Sequence, residues 1–95
     1  HPTPAVGGVP TATACAIIAE AEPTPRGWYT GGIGQVSASG QGELWVALRS
    51  ALLSGDRGLL FVGAGIVPAS QAAREWQETH AKAQAMLMTL GADAP

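Results

Sequence analysis

Apolar and polar residues alternate with a period of two through the middle of the chain, and take helix-like spacing on either side of it. The alternation predicts three strands, Trp28 to Val36, Leu44 to Leu52 and Leu59 to Val62. Ser-Gly-Gln-Gly at 39–42 and Ser-Gly-Asp-Arg-Gly at 54–58 supply the turns, and turns this short imply an antiparallel meander. In the middle strand Leu44, Val46, Leu48 and Leu52 fall on one face, and Trp45, Ala47, Arg49 and Ala51 on the other. Arg49 is the only charge in that run.

Ahead of the strands, Thr11 to Ala21 predicts a helix. Alanines raise its propensity, Ala14, Ile17, Ile18 and Ala21 share a face, Thr11 or Thr13 can cap it, and Pro23 stops it. His1 to Pro10 is expected as ordered loop, with Gly7-Gly8 permitting a tight turn. Residues 22–27 form a rigid connector, because two prolines fix φ and remove donors. A long helix is expected from about Gln71 to Leu90, with Ser70 as N-cap, Gly91 as the stop, and Met86, Leu87 and Leu90 as its apolar face. The fold class is α+β.

Composition changes this picture in one respect. Of 95 residues 46% are hydrophobic and only 13% charged, a thin polar coat for a domain at the size where one core is just attainable. Some apolar surface is therefore expected to meet a partner, and the chain reads as a segment of something larger. Five basic residues spread singly under a net charge of −2 exclude a nucleic-acid surface, which needs clustered cations. Prolines and glycines interrupt the uncharged N-terminal run, which argues against a membrane span or signal peptide. A soluble, cytoplasmic protein is expected, and the single Cys15 agrees with a reducing compartment.

Candidate chemistry concentrates in the last third of the chain. At about 100° per residue, Glu75, Glu78 and Lys82 project within roughly 60° of one another. Two carboxylates one turn apart are hard oxygen ligands of the kind Mg²⁺ takes, whereas Glu78 and Lys82 at i,i+4 are also an ordinary helix-surface pair. Arg49 is either an exposed edge residue or a fork for a carboxylate. Gly63-Ala64-Gly65 permits close backbone approach but lacks the spacing of a nucleotide loop. Cys15 has no basic neighbour to activate it, neither histidine stands at zinc-ligand spacing, and no Ser-His-Asp arrangement is evident. Tyr29, ahead of a glycine pair, offers a hydroxyl to a pocket.

The ordered set His1-Pro2-Thr3-Pro4-Ala5, Arg26-Gly27-Trp28-Tyr29, Ala47-Leu48-Arg49, Gly63-Ala64-Gly65-Ile66-Val67, Glu75, Glu78-Thr79 and Lys82 resembles the C-terminal part of the chorismate-utilising enzymes. That family includes isochorismate synthases, salicylate synthases, anthranilate synthase component I and aminodeoxychorismate synthase component I. The run from Gly42 to Ala51 looks most like an isochorismate synthase. The resemblance implies a portion of an α/β sandwich of antiparallel strands and helices that binds chorismate with Mg²⁺. Residues 1–95 would be the C-terminal portion of that domain, its N-terminal portion being a partner in the same enzyme.

By the same resemblance Glu78 and Glu75 are the metal-site positions. Arg49 and the Gly63 amide grip the enolpyruvyl carboxylate, with Tyr29 beside them, and Lys82 and Ala5 are further substrate-lining positions. No catalytic base or acid is implied within the chain; both are expected upstream of His1, so the chain alone is expected to hold substrate without turning it over.

Overall fold

A computed structural model describes residues 2–92; His1, for which the sequence offers no metal partner, lies outside them. The chain divides into two units, 1–47 and 48–95. The elements are two helices and a hairpin in the first unit, and a hairpin and a long helix in the second, which is the expected α+β mixture.

The first unit begins with a short helix, α1 (Pro4–Gly7), where loop was expected. Proline favours the first helical position because its missing N–H is unsatisfied there anyway, and Pro4 occupies it. Gly8, at φ 77°, ends the turn, and a Cβ there would come within 2.6 Å of the Ala14 methyl. Helix α2 (Thr11–Ala21) has its expected bounds, and Glu22 leaves helical geometry ahead of Pro23. Neither threonine caps it: Pro10 is the N-cap residue, and the Thr11 hydroxyl donates back to the Gly8 carbonyl at 3.3 Å. Pro4–Ala21 has a mean hydropathy of 1.2 but is divided between these two helices. At about 1.5 Å per residue, α2 is about 16 Å long, about half a bilayer's hydrocarbon core.

Residues 28–31, expected in a strand, form a turn in which the Tyr29 amide donates to Arg26 and the Gly31 amide to Trp28. The first hairpin pairs β1 (Gly32–Val36) with β2 (Gly42–Val46), antiparallel, with Ile33 opposite Trp45. Gly34 opposes Leu44, where any side chain would collide with the Glu43 carbonyl.

The expected middle strand is two strands. Pairing with β1 closes at Val46, and a new hairpin opens at Ser50, joining β3 (Ser50–Ser54) to β4 (Arg57–Phe61). The cause is Arg49, a non-glycine residue at φ 44°, which breaks the extended backbone. Two two-stranded sheets therefore replace the single meander. The second turn is Gly55-Asp56 with Gly55 at φ 61°, matching the demand of a type II′ hairpin for glycine at its first central position.

Helix α3 (Ala72–Leu90) packs on β4. Ser70 is not its cap; its hydroxyl accepts from the Val67 amide at 2.8 Å, and Gln71 takes the N-cap position. Gly91 is the predicted stop, left-handed at φ 65°, and the Ala92 and Gly91 amides cover the Leu87 and Met88 carbonyls. Packing within this unit is open: a cavity of about 830 Å³ is lined by Leu53 and Leu60 of the hairpin and by Ala83, Leu87 and Leu90.

Among the described residues no hydrophobic side chain is buried. Leu44 is 82% exposed and Leu52 64%. Full burial of one such side chain is worth about 1.5–3 kcal/mol, so these hairpin faces gain most of their stabilisation only when covered.

Candidate functional site

The second unit gathers three of the expected site residues around one ammonium. Helix α3 turns Glu75, Thr79, Lys82, Ala83, Met86 and Leu87 to its half-buried side, with Glu78 at the exposed margin. Lys82 Nζ donates to Glu78 Oε1 at 2.6 Å and to the Gly63 carbonyl oxygen at 2.9 Å. The second bond reaches across 19 residues and ties the glycine segment after β4 to the acidic face of the helix. Gly63 thus meets Lys82 through its carbonyl, and its N–H, the group expected to face a carboxylate, makes no backbone bond among the described residues. Together they juxtapose a carboxylate, an ammonium and a glycine carbonyl.

Glu75 stands in the first turn of α3, where the exposed amides of a helix N-terminus favour negative charge. Among the described residues its carboxylate has no ion-pair or hydrogen-bond partner, and it is half-buried. No group of three or more His, Cys, Asp or Glu side chains suited to a metal stands among the described residues. A pair of carboxylates one turn apart nevertheless suits Mg²⁺, which keeps several waters and takes its remaining oxygens from a ligand. Of the two carboxylates Glu78 already accepts from Lys82, and its 51% exposure leaves room for a further partner.

Arg49 lies in the same unit, exposed, and no salt bridge or hydrogen bond engages its guanidinium among the described residues. Its φ of 44° is a strained state for a residue with a Cβ, the kind of conformation that the surrounding structure must impose. The expectation that it projects from a strand face is corrected: it stands in the break between two strands.

The other expected positions, Ala5 and Tyr29, belong to the first unit. Ala5 is exposed on α1, and Tyr29 is half-buried in the turn before β1. The residue that the sequence reading missed is Arg26, taken there as part of a rigid connector. Its Nε and Nη2 hold both oxygens of Glu22 at 2.6–3.2 Å, and Nη1 reaches the Val6 carbonyl at 3.0 Å. Hydrogen bonding to Glu22 raises its pKa above the ordinary guanidinium value, with burial opposing, so it stays charged at any working pH. The signal was available as a glutamate four residues ahead of an arginine.

Known proteins are similar to the chain in sequence. The chain is 44% identical over 93 residues to "Isochorismate synthase MenF" of Bacillus subtilis, covering 98% of this chain and 20% of that protein. It is 48% identical over 92 residues to "Salicylate biosynthesis isochorismate synthase" of Pseudomonas aeruginosa, covering 97% and 19%. To "Isochorismate synthase EntC" of Escherichia coli K12 it is 45% identical over 91 residues, covering 96% and 23%. The chain thus spans about a fifth of the length of these relatives. The family described as chorismate binding enzyme matches residues 1–91, the whole of both units but for the last few positions, and the chain belongs to that family.

Proposed function

We propose that the chain forms one wall of the chorismate site of an isochorismate synthase, an enzyme that moves a ring hydroxyl of chorismate with Mg²⁺ bound. The observation that carries this reading is the Lys82 ammonium holding Glu78 and Gly63 together, because it draws a carboxylate, a cation and a glycine backbone segment into one cluster. The names of the three relatives, each an isochorismate synthase, support the reaction.

In this reading Glu78 and Glu75 hold Mg²⁺, which supplies charge neutralisation for a carboxylate of the substrate. Arg49 presents a planar fork, free among the described residues, to a second carboxylate, with the Gly63 amide beside it. Lys82 adds positive charge at the same wall, and Ala5 and Tyr29 are further substrate-lining positions by the likeness to the family. The general base that activates water and the acid that protonates the departing hydroxyl belong to the rest of the enzyme, which also covers the exposed hairpin faces. In this reading the product feeds menaquinone synthesis or siderophore and salicylate synthesis in the cytoplasm, salicylate biosynthesis being the pathway named for the Pseudomonas aeruginosa relative.

Isochorismate formation tests this directly. The intact enzyme with Glu78→Gln is expected to lose Mg²⁺-dependent turnover by about a thousandfold, a loss typical of a removed charge-stabilising group, with its melting temperature unchanged. The 95-residue chain alone is expected to give no isochorismate with chorismate and Mg²⁺. Unchanged turnover in the variant removes Glu78 from the site, and isochorismate from the purified chain contradicts the placement of base and acid elsewhere.

A further inference from the structure

Arg26 bonds to three separate parts of the first unit, and what it connects is informative. One edge of its guanidinium takes both oxygens of Glu22, the residue that ends α2. Its other nitrogen, Nη1, donates to the Val6 carbonyl in α1 at 3.0 Å and to the Thr30 hydroxyl at 3.4 Å. The guanidinium carbon also lies 5.6 Å from the centre of the Tyr29 ring, within range of a cation–π attraction. Val6 directly follows Ala5, and Thr30 directly follows Tyr29.

Thr30 makes this connection mechanically significant. It is β-branched yet sits at φ 66°, a conformation that persists only where neighbours over-determine it. Its amide donates to the Ala47 carbonyl at 2.8 Å, while its hydroxyl takes the bond from Arg26. The 26–31 turn is thus pinned to the hairpin on one side and to α1 on the other.

We infer that Arg26 is a positioning residue for substrate binding, setting the Ala5 turn and the Tyr29 turn at a fixed separation through one guanidinium anchored by Glu22. The inference rests on the proposed site, in which Ala5 and Tyr29 line the substrate. The role requires arginine. A lysine keeps the charge opposite Glu22, but its three donors share one nitrogen, so it cannot take both oxygens of that carboxylate on one edge and reach Val6 and Thr30 from another as the planar fork does.

Steady-state kinetics of the intact enzyme test it. In Arg26→Lys the KM for chorismate is expected to rise about tenfold while kcat falls less than about threefold, since misplaced lining groups weaken substrate positioning without touching the reacting atoms. Glu22→Gln, which keeps the shape of the anchor, is expected to raise KM by about threefold, and it carries the test if the lysine variant does not fold. Tyr29→Ala serves as the reference. If it raises KM while Arg26→Lys and Glu22→Gln leave KM unchanged, the positioning role is overturned and the site reading stands. If Tyr29→Ala itself leaves KM unchanged, the placement of Tyr29 at the substrate fails, and the inference fails with it.

Discussion

Each unit contains a glutamate, a cation four residues later, and a backbone carbonyl about 20 residues away that accepts from the same cation. In the first unit these are Glu22, Arg26 and Val6; in the second they are Glu78, Lys82 and Gly63. The cations differ, and so does what each cluster can do. Arg26 spends every nitrogen of its fork on protein groups, with three contacts to Glu22 alone. Lys82 makes single bonds to Glu78 Oε1 and Gly63, and Glu78 remains 51% exposed, so its second oxygen is open to a ligand. A planar fork fixes geometry, whereas a point charge on a flexible stem shares and exchanges partners. The same spacing thus builds a tie in one place and, in the proposed reading, a site in the other.

That contrast is sharpened by substitutions in the intact enzyme, taken from the largest expected effect downward. Arg49 is a guanidinium with no partner among the described residues, the counterpart of the fully occupied Arg26. Arg49→Lys is expected to raise the KM for chorismate by about 10–100-fold, from the loss of a charged bidentate interaction, and to leave the urea midpoint unchanged. A KM like that of the unaltered enzyme would show that Arg49 does not face substrate. Lys82→Met should raise KM by about tenfold while changing stability by less than about 1 kcal/mol, because its partner Glu78 is 51% exposed and stays solvated without it. If denaturant titration showed a larger loss of stability than of affinity, Lys82 would be a tie like Arg26. Gly91→Ala is the smallest case: a Cβ at φ 65° costs about 1 kcal/mol at the end of α3, read as a lower melting temperature with kcat and KM unaltered.

The helices were largely legible in the sequence because their bounds are set by backbone chemistry that particular residues announce. Pro23 ends α2, and Gly91 ends α3 in a left-handed turn. The hairpin turns were legible for the same reason, through Gly40 and Gly55. The break at 47–49 was not. Alternation reports which face a side chain prefers, and the run from Trp45 to Ala51 contains no proline or glycine to announce a break, while the left-handed conformation falls on Arg49 rather than on a glycine. Helix α1 escaped because prolines and glycines read as loop unless a proline falls on the first helical position.

The candidate site divides in the same way. Glu75, Glu78 and Lys82 were placed on one helical face by periodicity alone, and their structure agrees. That Lys82 reaches Gly63 could not be read from periodicity, since it joins segments 19 residues apart. Arg26 was overlooked because a connector between two prolines draws attention to its rigidity, and its glutamate partner lies just outside regular helix.

The central claim, that the Glu78 cluster is a Mg²⁺ and carboxylate wall, is tested most directly by calorimetric titration of Mg²⁺ into the intact enzyme, with and without Glu78→Gln. The account predicts that the variant stays folded and loses measurable Mg²⁺ binding. An unchanged Mg²⁺ dissociation constant in Glu78→Gln would contradict it.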